Sequence, residues 1–596
     1  MKALILAAGT GNRMHPLTLD THKAMLQIGS RSVVQRILES LVANDVTDIT
    51  VVTGYRAAEI RAHIAEHFPS LEVGYVHNAQ YAETNNIHSV ALALDTMRID
   101  SDLLLIESDV IYEPSVIKRI MAASGDTVAL VDRFRMGMDG TVVEVRGDKV
   151  TAVIPPNLQP VDFDFSDKFK TLNIYKLSQD FCNRVFRQLL NFYRDNYDSN
   201  AYYELILGML IYLQRHPVHA EVLDGELWAE VDDPNDLSQA RFMFQPESRL
   251  EILDRSFGGF WHFDITDFAF IRNMHFPTPA VLSELRGNFD TLARNYGSIQ
   301  VDLERKLSYL TLVDVSRLVV LNGASQAYPF LRRRLAGQRV VRPEPTFGEY
   351  SRIFPDAVTY TDTVGFEIGE IDQAATDADV VVVVNPNNPT GSQVDTAQLY
   401  GLAAAHTQKT FIIDESFIDF ADYPSMIALL ETDPLPNVLV LKSLSKSLGV
   451  PGIRLGFAYS AGDLVAELRK DLPIWNLNSF AENYLEVLLK HRPDMERSFA
   501  ATRREREEFA TSLQQVDGVN AVYPSGGNSL LVGLNCAATD VGSLRRRLLD
   551  DHAFYVKDVS DRFPGDRAFL RLAVRLPAEN QRLVSALQDT SLLRPT

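Results

Sequence analysis

Short apolar runs alternate with stretches whose apolar residues recur every three or four positions, and the alternation continues along nearly the whole chain. In the first part, residues 3–7, 49–53, 72–77 and 103–107 are compact apolar runs that read as strands, whereas 32–44 and 57–67 carry helical spacing. Strands alternating with helices predict a mostly parallel sheet covered on both faces. Residues 242–255 (FMFQPESRLEILDR) hold Pro246 and mixed charge, and the domain boundary is expected there. That stretch is no flexible Gly/Ser linker. A second α/β pattern then begins, marked by runs at 318–321, 380–385, 410–414 and 438–441. With no internal repeat and no low-complexity tract, the pattern predicts two unrelated domains, 1–242 and 256–596.

Composition narrows the class. The 596 residues are 46% hydrophobic and 23% charged, which excludes a mainly disordered chain. Fifty-eight basic against 78 acidic residues leave a net charge of −20, arguing against nucleic-acid or membrane-surface partners while allowing a local basic pocket for phosphates. Cys182 and Cys536 are too few for a disulfide framework, so a reducing cytoplasm is expected. The opening MKALILAAGTGNR is too short for a signal peptide and reads as a first strand entering a Gly-rich turn. No stretch approaches the ~18 apolar residues of a membrane span.

The first candidate chemistry lies in LILAAGTGNRMHPLTLDTHKAML. Gly9 and Gly11 directly after a buried strand allow a tight turn whose N–H groups face a triphosphate, with Arg13 and Lys23 adding positive charge. A Gly-x-Gly turn alone also suits a plain strand-to-helix connection. The spacing fits neither a dinucleotide fingerprint nor a P-loop. The longer pattern resembles the nucleotidyltransferase superfamily that activates sugar phosphates, phosphocholine and phosphonates. It runs through Leu6, Ala8, Gly9, Gly11 and Arg13, then Thr21-His22-Lys23. Asn78 to Ser89 (including Asn85), Glu107-Ser108-Asp109 and Trp228-Ala-Glu230-Val-Asp232 resemble its choline-phosphate cytidylyltransferase branch. The resemblance implies a Rossmann-like domain in which a phosphate or phosphonate oxygen attacks the α-phosphorus of CTP and pyrophosphate leaves. Because both reactants are anionic, such catalysis is mainly charge neutralisation and alignment. It also implies Mg²⁺ on Asp109 and Asp232, with Glu230 a weaker ligand, since Mg²⁺ keeps several waters and needs few carboxylates. Arg13 and Lys23 would hold the leaving phosphates, the glycine loop with Leu6 and Ala8 the nucleotide. Asn85 and Ser89 would lie near base, ribose or acceptor, and Tyr203-Glu204 would line the acceptor site.

The second constellation is Asn385-Pro-Asn-Asn388-Pro-Thr-Gly391 after a five-valine run, then Asp414-Glu-Ser-Phe417, Lys442-Ser443-Leu-Ser445-Lys446 and Pro-Gly-Ile-Arg454. Each piece alone suits a turn or a surface loop. Together they resemble the pyridoxal-phosphate enzymes of the class I/II aminotransferase fold (fold type I) over roughly residues 258–590. The resemblance implies that Lys446 holds pyridoxal 5′-phosphate covalently, because a lysine amine is the nucleophile this chemistry uses. A buried carboxylate must keep the ring nitrogen protonated, and Asp414 ends a buried strand. Asn388 would bond the ring hydroxyl. Ser443, Ser445 and Arg454, with backbone N–H groups at Gly323-Ala324-Ser325, would take the phosphate. Phe347 or Tyr350 would stack on the ring. Tyr296 matches a residue that reaches a neighbouring subunit's phosphate, implying a homodimer. Arg571 and Asn478 would meet the substrate.

Within this fold type the chain is similar to the histidinol-phosphate aminotransferase and threonine-phosphate decarboxylase group. Phe417 stands where many aminotransferases carry Tyr, and DESFIDF and 473–479 (including Trp475) resemble the decarboxylase branch. Decarboxylation and transamination both stay open at this point. One small amino acid with a phosphonate tail would serve both domains, and the pair resembles the fused cytidylyltransferase–decarboxylases of fosmidomycin-type phosphonate antibiotic pathways. That implies CMP transfer from CTP to the phosphonate and decarboxylation of 2-amino-4-phosphonobutyrate, giving CMP-5′-(3-aminopropyl)phosphonate.

Overall fold

The computed structural model describes residues 1–160, 163–363 and 366–589, so the end of the expected second domain lies outside the described residues. The chain divides into two compact units, Met1–Asp264 and Ile265–Thr596. The stretch 242–255 does not separate them. It closes the helix Pro234–Phe244 and forms most of the helix Pro246–Ser256. Pro246 sits in the first turn of the new helix, where its missing N–H costs nothing. The Arg249 guanidinium then bonds back to the carbonyls of Phe242 and Met243, both at 2.8 Å.

The first unit is built on a nine-stranded sheet. Val73–His77, Asp48–Thr53, Lys2–Ala7 and Leu103–Glu107 run parallel in that order, as their apolar runs predict. Ala3, Ile5 and Ala7 pack toward Val34, Ile37 and Leu41 of one helical layer, while Leu4 and Leu6 face Val90 and Leu94 of the other. The helix Val33–Val42 starts on a reciprocal cap, Gln35 N–H donating to Ser32 Oγ at 3.2 Å and Ser32 N–H to Gln35 Oε1 at 2.6 Å.

The far half of this sheet corrects the parallel expectation. Phe169–Leu177 enters antiparallel to Leu103–Glu107, followed by Thr127–Arg133, His219–Val222 and the antiparallel pair Lys149–Ile154 and Val142–Arg146. The register of Phe169–Leu177 slips between Thr171 and Tyr175, and Asn173 within the slip is left-handed at φ 57°. Such a bulge re-aims side chains from a sheet.

The second unit holds a seven-stranded sheet in the order Leu318–Leu321, Gly456–Tyr459, Val438–Ser443, Thr410–Asp414, Val380–Val384, Val340–Glu344, Val358–Thr361. Only Gly456–Tyr459 runs antiparallel to its neighbours. The five valines are buried on both faces, Val381 and Val383 in one core cluster and Val380, Val382 and Val384 in the other. A four-stranded antiparallel sheet, Val519–Val522, Ser529–Ala537, Arg567–Ala573 and Lys557–Asp558, adds a smaller core. Among the described residues no helix is long and apolar enough to cross a membrane, and both cysteines are free.

Two glycines give predictions of opposite sign. A Cβ on Gly54 would fall 2.6 Å from Tyr81 Cβ and 2.7 Å from the Ala8 carbonyl, so Gly54→Ala is expected to cost about 1–3 kcal/mol in urea unfolding. Gly401, inside the helix Thr396–Ala405 with nothing within 4 Å, is expected to gain up to about 1 kcal/mol as Ala. Equal midpoints for both variants and the unsubstituted protein would contradict the packing described.

Candidate functional sites

In the first unit, every residue assigned to the nucleotide and metal site lines one cavity of about 1830 Å³. The loop after Lys2–Ala7 is pinned by Tyr55 N–H donating to the Ala8 carbonyl at 3.0 Å and by Thr18 Oγ1 donating to the Gly11 carbonyl at 2.8 Å. Gly11 is left-handed at φ 64°, and a Cβ there would press on Lys23 Cβ at 3.1 Å. Glycine is therefore required where the loop passes over the lysine.

Lys23 forms the centre of the site. Its ammonium donates to Asp109 Oδ2 at 2.9 Å and to Asp232 Oδ1, while Arg13 donates to Asp232 Oδ2 at 2.7 Å. Asp109 follows the strand Leu103–Glu107, and the short strand Trp228–Glu230 pairs with Val110–Tyr112, which delivers Asp232 beside it. Burial opposes the charge on Lys23, but Asp109 and Asp232 outweigh it and hold the pKa above its ordinary value. Burial likewise opposes ionisation of Asp232, yet Lys23 and Arg13 bring it below the usual range. Asp109 Oδ1 is buried and, among the described residues, has no hydrogen-bond partner. Two carboxylates converging on one cation, with an oxygen left over, form a donor set that fits a hydrated Mg²⁺.

Asn85 and Ser89 are held more locally. Asn85 caps the helix Asn86–Thr96, and Ser89 Oγ accepts from Asn78 Nδ2 at 3.1 Å. Sequence reasoning missed Lys170 and Asn173. At the bulge, Lys170 pairs with Glu230 Oε2 at 3.0 Å and Asn173 Nδ2 reaches Glu230 Oε1 at 3.3 Å. Burial nevertheless pushes Glu230 up to about 7. The only signal in the sequence was a lysine interrupting an apolar strand.

In the second unit, Asn388, Asp414, Ser443 and Lys446 lie at or just beyond the carboxyl ends of parallel strands. Asp414 ends Thr410–Asp414, 3% exposed, and accepts from Tyr350 Oη at 2.8 Å and from Ser416 N–H at 3.0 Å. Tyr350 is thus committed to Asp414. Lys446 lies in the short helix Leu444–Ser447, its Nζ 5.2 Å from the Phe417 ring centre and 5.9 Å from that of Phe347. Among the described residues it has no ion-pair partner, and burial lowers its pKa although Asp414 acts the other way. Arg454, left-handed at φ 64°, donates to Ser325 Oγ at 3.1 Å. Gly323 lies beneath it, where a Cβ would sit 2.5 Å from the guanidinium. Arg571 donates to Asn388 Oδ1 at 2.8 Å and to the Ala269 carbonyl, its buried Nε having no partner among the described residues. Burial lowers Arg571 to about 10. An unpaired amine between two rings, a buried carboxylate and an arginine–serine cradle fit pyridoxal 5′-phosphate.

Two expectations change. Ser445 Oγ is engaged with the Leu455 backbone, accepting its N–H at 3.1 Å and donating to its carbonyl at 3.2 Å. Asn478 is a helix cap, accepting from Ala481 N–H at 2.8 Å and donating to the Ile453 carbonyl at 3.0 Å. Both therefore brace the Arg454 loop. Tyr296 is 80% exposed and stacks on Trp475 at 4.3 Å. Arg562, not foreseen, donates to the Thr346 carbonyl at 2.8 Å and lowers Arg571 by repulsion, after burial.

Residues 273–587 match the family described as aminotransferase class I and II, and residues 2–133 match the nucleotidyl transferase family. The CMP-5'-(3-aminopropyl)phosphonate synthase of Streptomyces rubellomurinus is 32% identical over 99% of this chain and 95% of that protein. Threonine-phosphate decarboxylase of Salmonella typhimurium is 28% identical over 52% of this chain and 86% of its own. The solved structure of a decarboxylase from Sulfurospirillum multivorans superimposes with a TM-score of 0.51 at 24% identity, covering 59% of this chain and 98% of that one, a likeness of fold.

Asp362 backs the loop bearing Asn388, accepting from Thr390 Oγ1 at 3.2 Å and from Ser392 Oγ. Burial raises it from 3.8 to about 6. A raised carboxyl contributes stability below its unfolded pKa, and that contribution is lost as pH rises through the folded value. The stability of Asp362→Asn relative to the unsubstituted protein is therefore expected to grow by about 2 kcal/mol from pH 4 to 7 in urea unfolding. A pH-independent difference would contradict this.

Proposed function

The chain belongs to the class I and II aminotransferase family, with a nucleotidyl transferase domain ahead of it, and on that premise we propose an enzyme whose two activities act on one aminophosphonate. The first domain transfers CMP from CTP to the phosphonate of 2-amino-4-phosphonobutyrate or its decarboxylated amine, releasing pyrophosphate. The second removes the α-carboxylate as CO₂ and places a proton on the same carbon. The final product is CMP-5′-(3-aminopropyl)phosphonate. The end-to-end similarity to a synthase named for that product carries this reading. The geometry supports it, because both sites keep their charged groups assembled.

At the first site, Asp109 and Asp232 would hold Mg²⁺, while Arg13 and Lys23 neutralise the triphosphate and the departing pyrophosphate. The loop through Gly9 and Gly11 presents backbone N–H groups to the phosphates, with Leu6, Ala8, Asn85 and Ser89 shaping the nucleotide's seat. At the second site, bound pyridoxal 5′-phosphate supplies a ring that withdraws the electron pair freed when a bond at the α-carbon breaks. Lys446 anchors the cofactor and handles the proton at that carbon. Asp414, fixed by Tyr350, keeps the ring nitrogen charged, and Asn388 meets the ring hydroxyl. Ser443, Arg454, Ala324 and Ser325 bind the cofactor phosphate. Phe347 and Phe417 wall the ring and exclude water from the lysine. Arg571 binds the substrate carboxylate or its anionic tail. We further assign a homodimer through the second domain, the exposed Tyr296 reaching the neighbour's cofactor phosphate, with cytoplasmic small molecules as the only other partners.

In Lys446→Ala, CO₂ release is expected to fall at least about 10³-fold while pyrophosphate release from CTP persists. In Asp109→Ala, pyrophosphate release is expected to be lost while cofactor binding is retained. Amino transfer to a supplied oxo acid without CO₂ would instead establish an aminotransferase. Sedimentation is expected to give a dimer, with Tyr296→Phe weakening cofactor retention; a monomer of full activity would contradict the assembly.

A further inference from the structure

Glu107 and Glu204 both line the first unit's cavity. Asn86 Nδ2 donates to Glu107 Oε1 at 3.1 Å and to Glu204 Oε2 at 3.4 Å, while its Oδ1 accepts from Tyr203 N–H at 2.9 Å. The backbone contact fixes which way the amide points, so its NH₂ end always faces the two carboxylates. The carboxylates around Lys23 are matched: Asp109 and Asp232 by Lys23, Asp232 also by Arg13, and Glu230 by Lys170. Among the described residues, neither Glu107 nor Glu204 has a salt-bridge partner. Tyr203, whose N–H holds Asn86, does not itself line the cavity. It is 0% exposed, its hydroxyl lacks a hydrogen-bond partner, and both carboxylates act on it electrostatically. Its ring meets Tyr175, part of the cavity wall, edge-on at 5.8 Å.

Two carboxylates held together by a neutral amide in a walled cavity are costly until a cation arrives. The Mg²⁺ of the transfer is already assigned to Asp109 and Asp232, which leaves the Glu pair to another cation. A primary ammonium brings three donors, enough for both carboxylates, and the aromatic wall at Tyr175 favours it further. We propose that Glu107 and Glu204, spaced by Asn86, bind the ammonium group of the acceptor and so restrict the first site to phosphonates or phosphates with an amine on their tail. This deepens the proposed cytidylyl transfer and rests on it. The acceptor's anionic end then belongs to Asp109, Asp232 and their cations, and its amine to the opposite charge pattern at the Glu pair.

The test measures pyrophosphate release from CTP and Mg²⁺ with two acceptors, 3-aminopropylphosphonate and propylphosphonate. Neither has an α-carboxylate, so the second site plays no part. The unsubstituted enzyme is expected to favour the amine in kcat/KM by about tenfold or more, the worth of a charge-assisted hydrogen bond. In Glu204→Gln, and separately in Glu107→Gln, that ratio is expected to collapse toward one, mainly through KM for the amine. Calorimetric binding of the two phosphonates to the unsubstituted protein gives the same comparison without variants, with tighter binding of the amine expected. Equal use of both acceptors, an unchanged ratio in both variants, or a raised Mg²⁺ requirement with the ratio intact would overturn the ammonium assignment while leaving cytidylyl transfer standing. No pyrophosphate from any acceptor would overturn both.

Discussion

Strands buried on both faces cannot carry charge along their length, so most of the polar chemistry of this chain gathers where the parallel strands end, with Lys170 and Arg571, on antiparallel strands, the exceptions. Both units obey that constraint. In the first, Lys2–Ala7 and Leu103–Glu107 stop together and release the glycine loop and Asp109 side by side. In the second, Val380–Val384, Thr410–Asp414 and Val438–Ser443 stop in register and release Asn388, Asp414 and Lys446. The two sheets thus solve the same positioning problem for unrelated chemistries.

The sites differ in how they treat their lysines. Lys23 is matched twice over, by Asp109 and Asp232, and stays charged. That suits a group whose work is to neutralise phosphates. Lys446 is buried between Phe417 and Phe347, among the described residues without an ion-pair partner, and its pKa falls. That suits a group that must act as a nucleophile and move protons. Environment, rather than residue type, separates the two roles.

The parallel strands and their terminal motifs were legible in the sequence, because apolar runs and turn-forming residues are local signals. The strands Thr410–Asp414 and Leu318–Leu321 begin and end where their patterns indicate. What stayed hidden depends on contacts between distant segments. The antiparallel half of the first sheet carries no distinct periodicity, and the slip that turns Asn173 toward Glu230 arises only when Phe169–Leu177 pairs with Thr127–Arg133. Ser445 and Asn478 look like site residues by motif, yet their side chains brace Leu455 and Ile453. Motif spacing fixes which loop a residue belongs to. It does not fix which way a short polar side chain turns.

The central claim is that one chain performs both reactions on one amino acid. It is tested most directly by incubating the purified protein with CTP, Mg²⁺, pyridoxal 5′-phosphate and 2-amino-4-phosphonobutyrate labelled in its carboxyl carbon, with no oxo acid present, and weighing the products by mass spectrometry. The expected result is a single nucleotide-bearing amine that has lost the label, with labelled CO₂ and pyrophosphate formed in equal amounts. A nucleotide product that keeps the carboxyl label, or an amine formed while CTP remains untouched, would contradict the account.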